Sequence, residues 1–243
     1  MEKVVDLCRR LRPVAPACGL MRVGDEFDGG YLVPVDFKGI KHCFSGGVGP
    51  TSSFERHLWD EFRIRSFLAD ASVDRPEQGL KGYTFDKKFL GAQNLDDFMT
   101  MESWMAKRLP QNYKNDLILQ LDIEGAEFDV MRVLPDECLQ KFRIVVLEVH
   151  AFDRIFFEDG MNDFMASFGA LLDGFFPVHL HVNNCCGFAM QDGIALPRVL
   201  EISFLRKDRD TGTRFLNRYP HPLDRPNLPY MDDLVLPELF WRG

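Results

Sequence analysis

Asp116-Leu117-Ile118-Leu119-Gln120-Leu121-Asp122-Ile123-Glu124-Gly125-Ala126-Glu127 is the stretch on which the reading of the fold turns. Leu117 to Leu121 is a short apolar run, the pattern of a strand buried on both faces in the middle of a parallel sheet. Beyond it the chemistry reverses. Asp122 and Glu124 are two apart, so strand alternation places them on one side at the carboxyl end, where open α/β sheets hold their ligands. Gly125 then breaks the strand and a helical pattern follows. Two carboxylates at a central strand tip are costly unless they hold a cation, a donor-rich ligand or a proton in transit. Glu127, and Glu124 in part, also fits an acidic helix N-terminus favoured by the helix dipole.

Upstream, Ile40 to Ser45 reads as a strand running into Gly46-Gly47-Val48-Gly49-Pro50. Thr51, Ser52 or Ser53 is placed to cap a helix carrying Phe54, Leu58, Trp59 and Phe62. Glycines there let the backbone turn sharply and a ligand approach closely. A second strand, Ile64 to Ala69, ends at Asp70, 21 residues past Gly49, the offset at which an acid usually grips ribose hydroxyls. Loop and acid in this order point to an adenosine-containing cofactor. A third strand lies near Tyr83 to Leu90, and Leu95 to Leu109 reads as a helix with Leu95, Phe98, Met99, Met105 and Leu109 buried.

Downstream, Arg143 to His150 is strand five, with Glu148 and His150 alternating onto one side. A helix from Met161 to Leu172 follows, then strand six, Pro177 to Val182, with His179, His181 and Asn183 on one side. Val199 to Leu205 is strand seven, and its polar neighbours suit an edge hairpin with strand six. Three strand tips thus offer Asp122 with Glu124, Glu148 with His150, and His181 with Asn183, beside the glycine loop. Carboxylate plus imidazole suits Mg, Mn or Fe, and His150 is the natural general base.

Nearer the N-terminus, residues 1 to 12 suit an amphipathic helix, and Asp28-Gly29-Gly30 is a turn signal between two short strands. The prolines at 220, 222, 226, 229 and 237 mark an extended C-terminal strap from Thr211. One domain over 1–243 is expected: an N-terminal helix and hairpin to 38, a core from 39 to 210, and the strap. A net charge of −8 argues against nucleic acid or anionic membrane as partner. No run reaches the ~18 apolar residues of a membrane helix. Six cysteines, at 8, 18, 43, 138, 185 and 186, form no CxxC pair, which favours a reducing, cytoplasmic setting.

Ser45-Gly46-Gly47-Val48-Gly49 with Ser53-Phe54-Glu55, and Leu121-Asp122-Ile123-Glu124-Gly125-Ala126-Glu127, resemble the FkbM-type S-adenosylmethionine-dependent methyltransferases. Asp28-Gly29-Gly30-Tyr31, His181-Val182-Asn183-Asn184 and His221-Pro222-Leu223-Asp224-Arg225-Pro226-Asn227 are similar to recurrent pieces of that group. The resemblance runs from about residue 22 to 230 and is most specific at Asp122 to Glu127. It implies a Rossmann-like class I methyltransferase fold, α/β, with a seven-stranded mostly parallel sheet, an antiparallel edge hairpin and helices on both faces. It implies methyl transfer to a hydroxyl of a sugar, sugar nucleotide, or glycosylated or polyketide acceptor, a small-molecule or glycan acceptor. Carried over, Gly46, Gly47 and Gly49 pass around the methionine part of S-adenosylmethionine, Asp70 binds the ribose, and Asp122 lies near the sulfonium. Asp96 is the candidate for the adenine.

A sugar hydroxyl is a poor nucleophile, so a divalent metal or a base is expected beside it. The expected ligands are Asp122, Glu148 and His181, with His150 as base and Glu124 as a further catalytic candidate. Two other classes stay open. A nicotinamide oxidoreductase would use the same loop and Asp70, although Ser52 stands where a third glycine or alanine is normal. A non-catalytic carbohydrate-binding or interaction module would keep the fold without the chemistry.

Overall fold

The computed structural model describes residues 1–49, 51–209 and 214–242. Its centre is one seven-stranded sheet: β1 (His42–Gly46), β2 (Arg65–Ala69), β3 (Tyr83–Asp86), β4 (Leu117–Leu121), β5 (Phe142–His150), β6 (Phe175–Val182) and β7 (Val199–Arg206). The spatial order is β6-β7-β5-β4-β1-β2-β3. Strands β1 to β5 are parallel, and β7 lies antiparallel between β5 and β6. This is the expected Rossmann-like arrangement, and all seven strands fall where the sequence placed them. The order reverses between β1 and β4, so the crevice at their carboxyl ends is the natural ligand position.

Among the described residues six α-helices accompany the sheet: α1 (Glu2–Arg10), α2 (Ser53–Phe62), α3 (Met101–Arg108), α4 (Glu127–Val133), α5 (Asp136–Leu139) and α6 (Glu158–Gly174). The apolar spacing of α6 buries Met161, Phe164, Phe168, Leu171 and Leu172. Phe128 of α4 meets Phe164 and Phe168 edge-on, at 6.2 and 5.0 Å between ring centres. The opposite sheet face is covered by α2 and by an antiparallel hairpin, Leu20–Val23 with Tyr31–Pro34, whose connecting loop contains Asp28-Gly29-Gly30. At the foot of the sheet, Asp116 accepts from Arg143 at 2.6 Å and pairs with Arg206 at 2.9 Å, which ties β4 to β5 and β7.

Three expectations fail locally. The helix expected over 95–109 starts only at Met101, where the Thr100 hydroxyl accepts the Ser103 N–H. Asp96 has a φ of +43°, which a continuing helix forbids, and Phe98–Met99 instead pairs with Phe89–Leu90. Leu95 and Phe98 are therefore 61% and 47% exposed rather than buried. Ser52 precedes α2, but its hydroxyl makes no capping bond. The strap does not merely cross the surface: Asp224, Asn227, Leu236 and Phe240 are buried. Pro50, and Thr211 to Thr213 at the start of the strap, lie outside the described residues.

The sulfurs of Cys185 and Cys186 are joined in the exposed turn after β6, while Cys8, Cys18, Cys43 and Cys138 are free. Among the described residues no helix is long and apolar enough to cross a membrane.

Candidate functional site

Strand register assembles a polar row across the sheet face that α2 and the hairpin cover. Leu121 of β4 pairs with Leu147, so Asp122 follows the strand beside Glu148. Glu148 in turn faces Glu201 of β7, and Glu201 faces His181 of β6. The hairpin closes over the row, and its Tyr31 hydroxyl donates to Asp122 Oδ2 at 3.2 Å. From the start of the loop after β6, Asn183 donates its amide to Glu148 Oε1 at 2.7 Å.

Burial, with the nearby charges of Glu124 and Asp28, raises the Asp122 carboxyl to about 7 against the opposing charge of His150. Glu148 is raised well above the usual carboxylate range by burial and by the charges of Asp122 and Glu201. For His150, burial acts downward, but the hydrogen bond and charge of Glu127 and the charges of Asp122 and Glu124 outweigh it, and its pKa is raised.

The turn from β4 into α4 is held by a residue whose role the sequence left as a helix-dipole acid. Glu127 is fully buried, and its Oε1 accepts the N–H of Ile123 at 2.9 Å and of Gly125 at 3.3 Å. The same oxygen lies 3.1 Å from His150 Nδ1. Ala126 at the N-cap offers no capping side chain, so a reach-back carboxylate at Glu127 was the available signal. Strand geometry ends at Leu121, so alternation does not carry to Glu124, which sits at φ +56° with its side chain 88% exposed. It approaches His150 Nε2 at 3.3 Å all the same.

His181 does not join Asp122 and Glu148. Its Nδ1 lies 3.0 Å from Glu201 and its Nε2 3.1 Å from Asp233 of the strap. His179 pairs with Asp224 at 2.9 Å, and Asn227 donates to Glu201 at 2.6 Å. Among the described residues, the His, Cys, Asp and Glu side chains that converge as a potential ion site are Asp122, Glu148 and His150, with donor atoms all within 4.8 Å of one another. His181 instead latches the strap to the sheet.

Burial pulls the His181 pKa down, but the charge of Glu201 and its bonds to Asp233 and Glu201 carry it up to about 10. The folded value exceeds the unfolded one of about 6.5. Its stabilisation is therefore complete below about pH 6.5 and is lost as pH rises through about 10. Denaturant midpoints measured from pH 6 to 10 are expected to fall more steeply for the wild type than for His181→Gln; parallel profiles would refute the latch.

The glycine loop wraps a carboxylate of its own chain. Val48 N–H donates to Asp70 Oδ2 at 2.9 Å, while Ser72 donates N–H and O–H to Oδ1. Gly47 has φ +83°, and a Cβ there would stand 1.6 Å from the Asp122 carbonyl oxygen. Gly46 packs under Leu90 and Leu121, whereas Gly49 faces open space. Two cavities meet at this loop. The larger, about 570 Å³, runs from Asp70 to Asp122 and Glu124 past Phe89, Leu90 and Phe98. The smaller, about 280 Å³, lies under the hairpin loop beside Asp25, Phe27 and Tyr31. Asp28, Gly47, Val48, Gly49 and Asp122 line both.

No family model and no curated protein sequence matches the chain. Among solved structures it is similar to MtNAS in complex with MTA and tNA, at 12% identity over 70% of this chain and 55% of that one, with a TM-score of 0.33. A mutant of MtNAS in complex with S-adenosylmethionine gives 11% identity over 69% and 55%, with a TM-score of 0.32. The chain spans about 55% of the length of these proteins. Likeness at that level carries no argument about this site.

Asp96, the candidate for an adenine, is exposed at φ +43° and does not line either cavity. Val73, Phe89, Leu90 and Phe98 form the apolar wall of the larger cavity instead, with the rings of Phe89 and Phe98 5.5 Å apart. The same local break that exposes Phe98 creates this wall, which is why the helical reading of 95–109 concealed it.

Proposed function

We propose that the protein is an S-adenosylmethionine-dependent O-methyltransferase of the FkbM type. Its acceptor is a hydroxyl of a sugar, a sugar nucleotide, or a glycosylated or polyketide molecule. The observation that carries the reading is the cavity of about 570 Å³ at the point where strand order reverses, whose wall joins the glycine loop, Asp70 and Asp122.

The residues fit that cofactor. The apolar wall of Val73, Phe89, Leu90 and Phe98 suits a purine, and Asp70 lines the same cavity at the loop offset expected of a ribose-binding acid. Asp28, Asp70, Asp122 and Glu124 line the cavity, and among the described residues no Lys or Arg does. That surface favours a cationic sulfonium and opposes the anionic diphosphate of a nicotinamide dinucleotide. Bound, the cofactor supplies a methyl group already activated on a positive sulfur.

The chain must align the acceptor oxygen and accept its proton. The smaller cavity, under Asp25, Phe27 and Tyr31, is the acceptor's place, and Asp122 lies where the two cavities join. His150 has its ring nitrogens turned to Glu127 and Glu124, which makes Asp122 rather than His150 the group that faces the acceptor. Polyols suit a site whose rim offers carboxylates and a tyrosine.

Calorimetry decides the cofactor class: S-adenosylmethionine and S-adenosylhomocysteine bind the wild type, Asp70→Ala weakens both, and NAD does not bind. Binding of NAD alone would overturn the proposal. Cofactor binding with no methyl transfer across a panel of glycans, sugar nucleotides and macrolide-type acceptors would favour a non-catalytic module.

A further inference from the structure

We infer that Asp122, Glu148 and His150 bind one divalent cation of the Mn, Mg or Fe type, at the wall between the two cavities. The donor atoms come from the tips of adjacent strands β4 and β5, so main-chain pairing fixes their spacing. They already lie within 4.8 Å of one another, and a small closure brings them to the ~3 Å separations of neighbouring ligands at metal–oxygen distances of about 2.0–2.1 Å.

Each donor is braced by a group that is not itself a donor. Tyr31 donates to Asp122, Asn183 to Glu148, and the buried Glu127 holds His150 through Nδ1. A carboxylate behind a histidine is the usual support for a metal-binding imidazole, because it sets the tautomer and turns Nε2 outward. Glu124, which now approaches Nε2, is a largely exposed side chain and free to swing away.

Glu148 supplies an independent observation. It is only 4% exposed, and its bond from Asn183 comes from a neutral amide; behind His150, the fully buried Glu127 keeps an Oε2 with no hydrogen-bond partner among the described residues. No Lys or Arg forms an ion pair with Glu148 or Asp122 among those residues. A buried carboxylate beside a second one, with no cation, is costly. A divalent ion supplies the missing charge, whereas His181, with carboxylates at both nitrogens, has none to give it.

Two carboxylates, one imidazole and no thiolate favour Mn, Mg or Fe over structural zinc, and the nitrogen donor disfavours calcium. Of the three, Asp122 lines both cavities, so it is through Asp122 that the ion would meet them. The ion's role rests on the methyl-transfer reading, but its binding does not. Bound, it would acidify an acceptor hydroxyl by its charge, so that Asp122 would serve as a ligand in that state and the hydroxyl proton would pass to solvent water instead.

The test uses chelator-stripped protein and Mn(II) without cofactor. Electron paramagnetic resonance is expected to show one bound Mn per chain with one directly coordinated imidazole nitrogen, and Mn is expected to raise the melting temperature of the wild type. Glu148→Gln and His150→Gln should abolish stoichiometric binding, Glu127→Gln should weaken it about 10–100-fold, and His181→Gln should retain it. Absence of stoichiometric binding by the wild type, or loss in His181→Gln with retention in His150→Gln, would overturn the assignment. Methyl transfer that persists in stripped protein that binds no Mn sinks the ion alone. Mn binding without S-adenosylmethionine binding sinks the methyl-transfer reading alone.

Discussion

Asp122→Asn is expected to lower turnover by about 10²–10⁴-fold while the protein remains folded and still binds S-adenosylmethionine. The amide matches the carboxylate in shape and can still accept from the Tyr31 hydroxyl, so the hairpin stays docked. What disappears is negative charge at the junction of the cavities. On the proposed reading Asp122 acts on the reacting oxygen, as proton acceptor in the ion-free site or as ligand in the ion-bound one, so the loss is expected to fall on kcat more than on KM. Single-turnover measurements at saturating cofactor, with an acceptor found in the panel, check this. A variant within tenfold of wild type would remove Asp122 from the chemistry. Removing one buried carboxylate also relieves Glu148, so a small rise in melting temperature is consistent with the same account.

Gly47→Ala is expected to be the most damaging change in the glycine loop. Its φ of +83° disfavours any L side chain, and the added carbon would stand 1.6 Å from the Asp122 carbonyl oxygen, a backbone atom that cannot rotate away. The β1 tip and the β4 tip must separate, at about 2–5 kcal/mol, and that separation opens the wall shared by both cavities. Loss of cofactor binding with a melting temperature lower by about 6–15 °C, on the order of 3 °C per kcal/mol for a chain of this length, is the expected result. Gly49→Ala is the contrast: its added carbon meets nothing within 4 Å, so stability should match the wild type and only ligand affinity should change. Equal melting temperatures for Gly47→Ala and wild type would refute the packing account.

These two residues mark how far the sequence could be read. Gly46, Gly47 and Gly49 look alike in a string, and the loop was recognisable from its place between a strand and a helix. Only the structure separates a glycine wedged against the neighbouring strand from one facing open space, because that distinction depends on how closely β1 and β4 approach. Asp70 was found by its offset from the loop, and it does meet the loop, through Val48 N–H.

The amino-acid sequence by itself determined the seven strands, the glycine loop after β1, and the tips bearing Asp122, Glu148 and His150. Apolar runs, alternation and glycine breaks are local properties, and they survive without knowledge of what packs where. The tertiary structure alone decided the partners. His181 shares its side of the sheet with Glu148, yet it is drawn to Asp233 by a strap more than fifty residues further along the chain. Glu127 was visible only as an acid at a helix start, and it became the anchor of His150 when β5 was laid beside β4. Alternation tells which side chains share a face. Which of them meet is decided by register and by whatever closes over that face: here Tyr31 from the hairpin and Asn227 and Asp233 from the strap. Those contacts set which buried carboxylates meet a charged partner, as Glu201 meets His181, and which, like Glu148 and Asp122, accept only from a neutral amide or hydroxyl.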